Sequence, residues 1–161
     1  MIPESDVIKD EEWLLRRVAI SRFRTDRSPI VSDSAFEPRL PKHNVRDPDI
    51  SGISLFRLDC LNSAKDILRA DQMQSHAIVG VKVSELKSLE LTVVNDPMSP
   101  NGENRINGHV LIPELGCDHY SNQKSIMKLI LHKLAILVSE RDHIFWDPAD
   151  FEPDSDLSNE E

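Results

Sequence analysis

Apolar positions recur in two rhythms along this chain, and each rhythm predicts an element. Trp13-Leu-Leu-Arg-Arg-Val18 reads as a first strand, and Ala19-Ile-Ser-Arg-Phe-Arg24 as a turn or short helix closing back through Ile20 and Phe23. Residues 28–41 read as strand and loop. Pro29, Pro38, Pro41 and Pro48 remove backbone donors and restrict the residues before them, so an irregular connection is expected between Glu37 and Gly52. The run Gly52-Ile-Ser-Leu-Phe-Arg-Leu58 predicts a buried strand, followed by a short amphipathic helix. Asn62 or Ser63 is its cap, Asp66 completes a capping-box spacing, and Ala64, Ile67 and Leu68 form its apolar face to about Asp71.

The stretch His76-Ala-Ile-Val-Gly-Val-Lys-Val83 is the clearest strand pattern. Ser84 is then expected to cap one helical turn over Glu85 to Leu89, with a strand returning over Leu91 to Val94. Turn formers crowd residues 95–102, after which His109-Val-Leu-Ile112 predicts a strand stopped by Pro113. A helix is expected from a Ser121 cap to about Glu140, because Ile126, Met127, Ile130, Leu134, Leu137 and Val138 recur at helical spacing. Leu129, Leu131 and Ile136 widen that stripe, and Lys124, Lys128 and His132 form the polar line. The sum is an α+β fold: one mixed or antiparallel sheet of about 4–6 strands covered by a long C-terminal helix.

Charge divides the chain into three. Residues 1–12 hold one basic and five acidic side chains, and residues 140–161 hold one and nine, so the ends supply all of the negative charge behind the chain's net −9. Residues 13–139, with seventeen basic and fourteen acidic residues, are slightly positive. The expected organisation is an acidic N-terminal segment over 1–12, one domain over 13–149, and an acidic tail over 150–161 too poor in apolar residues to order itself. No apolar run reaches membrane-span length, and the acidic start differs from a basic, then apolar, signal peptide. Cys60 and Cys117 read as reduced thiols rather than a disulfide framework, so a cytoplasmic setting is expected.

Candidate chemistry is sparse. Five scattered glycines assemble no phosphate-binding loop. His109, Cys117, His119 and His132 are zinc-ligand types, but only Cys117 and His119 are close, so no metal site and no cofactor are assigned. The local Cys117-Asp-His119 arrangement is likewise insufficient for a thiol nucleophile and base, which are assembled in space. Residues 13–46 carry eight basic and three acidic side chains, which nominates Arg22, Arg24 and Arg27 as contacts for phosphate or an acidic partner. A solvated strand edge explains the same cluster.

An arginine on a first strand followed by the serine of Gly52-Ile-Ser54 resembles the order of active-site motifs in ADP-ribosyltransferase-like folds. That resemblance implies a later acidic residue, for which Glu103 and Glu114 stand in position. The ordered series Leu15-Arg-Arg-Val18, Ser34-Ala-Phe36, Gly52-Ile-Ser54, Val94-Asn-Asp-Pro97 and His109-Val-Leu-Ile112 is similar to small, functionally unassigned bacterial proteins. It implies one domain and a bacterial origin but no activity. The leading expectation is a non-catalytic accessory or neutralising component that binds a protein partner, with a homodimer through residues 121–140 as one form. The alternative is an enzyme acting on nucleotide or nucleic acid through Arg16, Arg17, Ser54 and His109 converging at one end of the sheet.

Overall fold

The computed structural model describes residues 7–23, 30–40, 51–95 and 108–148. The expected contacts Arg24 and Arg27, the acidic tail, Glu103 and most of the proline-rich and 95–102 connections lie outside these residues.

Six strands form one antiparallel sheet in an α+β fold: β1 (Trp13–Ala19), β2 (Ile53–Arg57), β3 (His76–Lys82), β4 (Val94–Asn95), β5 (His109–Ile112) and β6 (Ile144–Trp146). Their order across the sheet is β4-β5-β2-β1-β3-β6. Successive side chains alternate between faces, so the adjacent buried residues Leu14 and Leu15 show that both faces of β1 are covered. Leu14, Val18, Leu55, Val79 and Val81 join one apolar cluster, whereas Leu15, Phe56 and Ile78 join another with Leu61 and Ile67.

Among the described residues, three α-helices, α1 (Val83–Ser88), α2 (Cys117–Asn122) and α3 (Lys124–Val138), accompany the sheet. The first cluster receives Met127, Leu131, Leu134 and Val138 of α3. Burying each such side chain contributes about 1.5–3 kcal/mol, far more than helix propensity alone.

Several local expectations are corrected. The single helix over 121–140 is two helices separated at Gln123, whose ψ of 36° leaves the helical range. The break follows Ser121 and Asn122, both weaker helix formers than the apolar run after them. Ser121 therefore lies inside α2 and caps nothing, and α3 is not the last element, because the chain continues into β6. Ser84 lies inside α1; the N-cap is Lys82, which ends β3 and whose N–H donates to Glu85 Oε1 at 2.8 Å.

The capping box at Ser63 and Asp66 forms, yet it starts a single 3-10 turn over Ala64–Ile67, with a second over Ala70–Gln72. Within residues 28–41, expected as strand and loop, Asp33–Phe36 form another 3-10 turn. Leu91 is buried ahead of the two-residue β4, and Ile20 is half exposed rather than packed inward.

Candidate functional site: an arginine cleft at the seam of the sheet

Strand β1 pairs with β3 along seven positions but with β2 at only two, Leu14↔Arg57 and Leu15↔Phe56. Beyond Leu15 the ladder to β2 stops, and the backbone acceptors there need other donors. Arg16 supplies one. Its Nη1 donates to the Ser54 carbonyl of β2 and its Nε to the Ala35 carbonyl, both at 2.9 Å. On the opposite face of β1, Arg17 Nη1 donates to the Ile67 carbonyl at 3.1 Å. The guanidinium carbons lie 5.5 Å from the ring centres of Phe36 and Phe56 respectively.

The end of this ladder borders a cleft of about 330 Å³. Its walls include Arg16, Arg17, Arg22, Arg39 and Arg69, with Ser54 and His76. Arg16 and Arg17 are half-buried, whereas Arg22, Arg39 and Arg69 are exposed.

Separate anchors hold the flanking segments. The Cys117 thiol donates to the Arg39 carbonyl at 3.1 Å, and the Tyr120 hydroxyl donates to Glu37 at 2.9 Å. Burial, then the bond to Glu37 and that carboxylate's charge, pushes the Tyr120 hydroxyl up to about 12. It therefore stays protonated and keeps donating through the neutral range. On the other flank, the Arg69 N–H donates to Gln72 Oε1 at 2.9 Å, fixing the backbone of the turn, while Arg69 Nε meets Asp71 at 3.3 Å.

The electrostatics follow from this crowding. Burial, then repulsion from Arg69 and Arg39, lowers the pKa of Arg17 below the ordinary arginine value. His76 is held below the usual histidine value first by burial, then by Arg17 and Arg69, with Asp71 opposing. Its Nδ1 shares a hydrogen bond with Ser75 Oγ at 2.8 Å. The cleft thus combines fixed positive charge with an imidazole biased toward its neutral form.

Ser54 connects the cleft to β5. Its hydroxyl lies 2.7 Å from His109 Nε2, and the His109 ring stands beside Phe56 with centres 5.3 Å apart. Gly108 delivers His109 into β5 with a φ of +83°; a Cβ there would approach Cys60 Cβ to 2.6 Å. Arg16, Arg17 and Ser54 therefore share the cleft, His109 touches its serine, and Arg22 stands at its mouth. The nominated Glu114 is elsewhere: its carboxylate accepts from the Thr92 N–H at 2.9 Å and from the Thr92 hydroxyl at 2.7 Å.

The zinc-ligand types do not gather either. Cys117 bonds the Arg39 carbonyl, His132 meets Asp33 at 3.0 Å, and His109 meets Ser54. Among the described residues, Glu140, Asp142 and His143 do have ligand atoms within 4.8 Å of one another. Structural contacts account for His143, which is buried between Asp142 and Glu85 and packs edge-on to Trp13.

Arg39, Arg69, Gln72 and His76 were not readable as site residues. Arg39 belongs to the basic segment already noted, but Arg69, Gln72 and His76 carry no local signal and reach the cleft only through the fold. No helix among the described residues is long and apolar enough to cross a membrane. No protein-family model, curated protein or solved structure matches the chain.

Proposed function

We propose that this chain binds a phosphorylated, nucleotide-sized ligand in the arginine cleft. The supporting observation is that five arginines from four separate stretches of chain, 16–17, 22, 39 and 69, line one cleft. Bringing like charges together is unfavourable, and the planar guanidinium fork matches phosphate oxygens geometrically. The volume falls at the lower end of the roughly 300–1,000 Å³ typical of small-molecule sites.

The reading is tested by calorimetric titration with orthophosphate and adenosine monophosphate at low and moderate salt. Saturable binding that weakens with salt is expected. Arg17→Gln and the exposed Arg22→Gln should each weaken it by about tenfold, the loss of one charge-assisted contact, while circular dichroism confirms folding. Absence of binding by the folded wild-type chain to either compound overturns the reading.

A second reading, an accessory or neutralising protein acting through a protein partner, draws support from α3. Ile126, Leu129 and Ile136 remain 56%, 56% and 48% exposed on that helix. A second copy of the chain is the partner to test first. Light scattering should give a dimer that Leu129→Glu converts to a monomer, whereas a wild-type monomer at high micromolar concentration rejects self-association.

A further inference from the structure

Strand β6 carries the chain toward the cleft. Its pairing with β3 passes from Val79↔Ile144 to Ile78↔Trp146, so it advances toward His76, which lines the cleft. The described chain ends at Pro148, two residues on and so within about 7 Å of Trp146. Trp146 also touches the cleft's flank: Lys65 Nζ lies 4.4 Å from its ring centre. Lys65 belongs to the 3-10 turn Ala64–Ile67, whose Ile67 carbonyl accepts from Arg17, and Arg69 follows that turn.

The residues beyond have the matching chemistry. Residues 149–161 hold six acidic and no basic side chains, and Asp150, Glu152, Asp154 and Asp156 recur at every second position. In an extended chain that period puts four carboxylates on one side, about 7 Å apart. Pro153 favours extended backbone at Glu152. Only β3 separates β6 from β1 in the sheet, a distance of two strand spacings or about 10 Å, well within reach of such a segment. Arg22 and Arg69 line the cleft with exposed side chains. Arg69 meets Asp71, but that pair joins side chains 69% and 74% exposed and exchanges readily for another carboxylate.

We infer that residues 149–161 dock their acidic side on Arg22 and Arg69 of the same molecule and compete there with the phosphorylated ligand. The competition rests on the phosphate reading above, whereas the docking stands on the strand register and the charge pattern.

The test uses the full chain with a nitroxide attached at Ser155→Cys, the native Cys60 and Cys117 being buried. At low salt the label should broaden the amide signals of Arg22, Arg69 and His76 more than those of α1, which follows the opposite end of β3. Asp150→Asn, Glu152→Gln, Asp154→Asn and Asp156→Asn together should remove that difference, as should about 0.5 M salt. With about 90% of molecules docked, the apparent Kd for adenosine monophosphate rises about tenfold, so the neutralised variant should bind about tenfold tighter. A control with four exposed acids neutralised elsewhere, Glu11→Gln, Asp59→Asn, Glu90→Gln and Asp118→Asn, should change it less than about twofold.

Equal broadening at the cleft and at α1 overturns the docking. An equal gain from both neutralised variants overturns the competition, because net charge then accounts for it. Both outcomes leave the phosphate reading intact. Docking without adenosine monophosphate or orthophosphate binding by either the wild-type chain or the neutralised variant overturns the phosphate reading instead. Broadening seen only between separate labelled and unlabelled copies places the segment on a second molecule and overturns the assignment within one chain.

Discussion

At the closed end of the β1–β2 seam, Glu12 and Arg57 form a buried ion pair whose loss provides a demanding test of the structure. Arg57 Nε and Nη2 donate to the two Glu12 carboxylate oxygens at 2.8 and 2.9 Å. The Lys9 N–H donates to Glu12 at 2.8 Å, and Arg57 Nη2 also donates to the Val7 carbonyl at 3.1 Å. Both side chains are 3% exposed. Glu12→Ala would therefore leave the arginine charge buried without its carboxylate, a loss of about 3–5 kcal/mol. Against a total stability of about 5–15 kcal/mol, that is a large fraction.

For a chain of this size the melting temperature should fall by about 6–20 °C. Urea unfolding followed by circular dichroism measures the free energy directly. Replacing both partners, Glu12→Leu with Arg57→Met, should recover part of the loss because it removes the stranded charge along with its partner. A Glu12→Ala change below about 1 kcal/mol would refute the account, as it would match an ordinary exposed ion pair.

The pair also fixes a pH dependence. Burial raises the Glu12 pKa, but the Arg57 and Lys9 hydrogen bonds and attraction to those residues outweigh it and hold the group below the ordinary carboxylate value. The unfolded chain consequently binds this proton more readily than the folded chain. The contribution is present above the unfolded value and is lost as pH falls through the folded one. Glu12→Ala should flatten the acid limb of the stability profile.

At the cleft, bound phosphate should raise the His76 pKa from its lowered position, so binding should carry proton uptake by the imidazole. Calorimetry in buffers of different ionisation enthalpy should detect that uptake, and His76→Gln should reduce it to the part due to the phosphate's own second ionisation, at about 6. In the ligand-free chain the sign is opposite for stability: the lowered folded pKa favours the neutral form, so acidification through the unfolded value near 6.5 weakens the fold.

Much of the sheet was legible because its strands are locally coherent. Val18, Ile53, Ile78, Val79 and Val110 lie in compact apolar runs that the expected strand ranges capture. β6 escaped because three residues contain too little periodicity to separate a strand from a loop. The break at Gln123 escaped for the reverse reason: the apolar stripe downstream is continuous enough to mask a change of helix before it. Arg16 and Arg17 were conspicuous as two charges within a central strand. Arg69 and His76 were not, because strand pairing and two 3-10 turns bring them to the cleft across long chain separations.

The sheet also limits how copies of this fold can join. Its outer members, β4 and β6, have two and three residues respectively, while the longer strands β1 and β3 are flanked on both sides. A short border presents few backbone donors and acceptors for an incoming strand, which restrains edge-to-edge polymerisation. Among the described elements, Ile126, Leu129 and Ile136 are exposed on α3, away from the ladder, so the self-association proposed through that helix would not require extending the sheet.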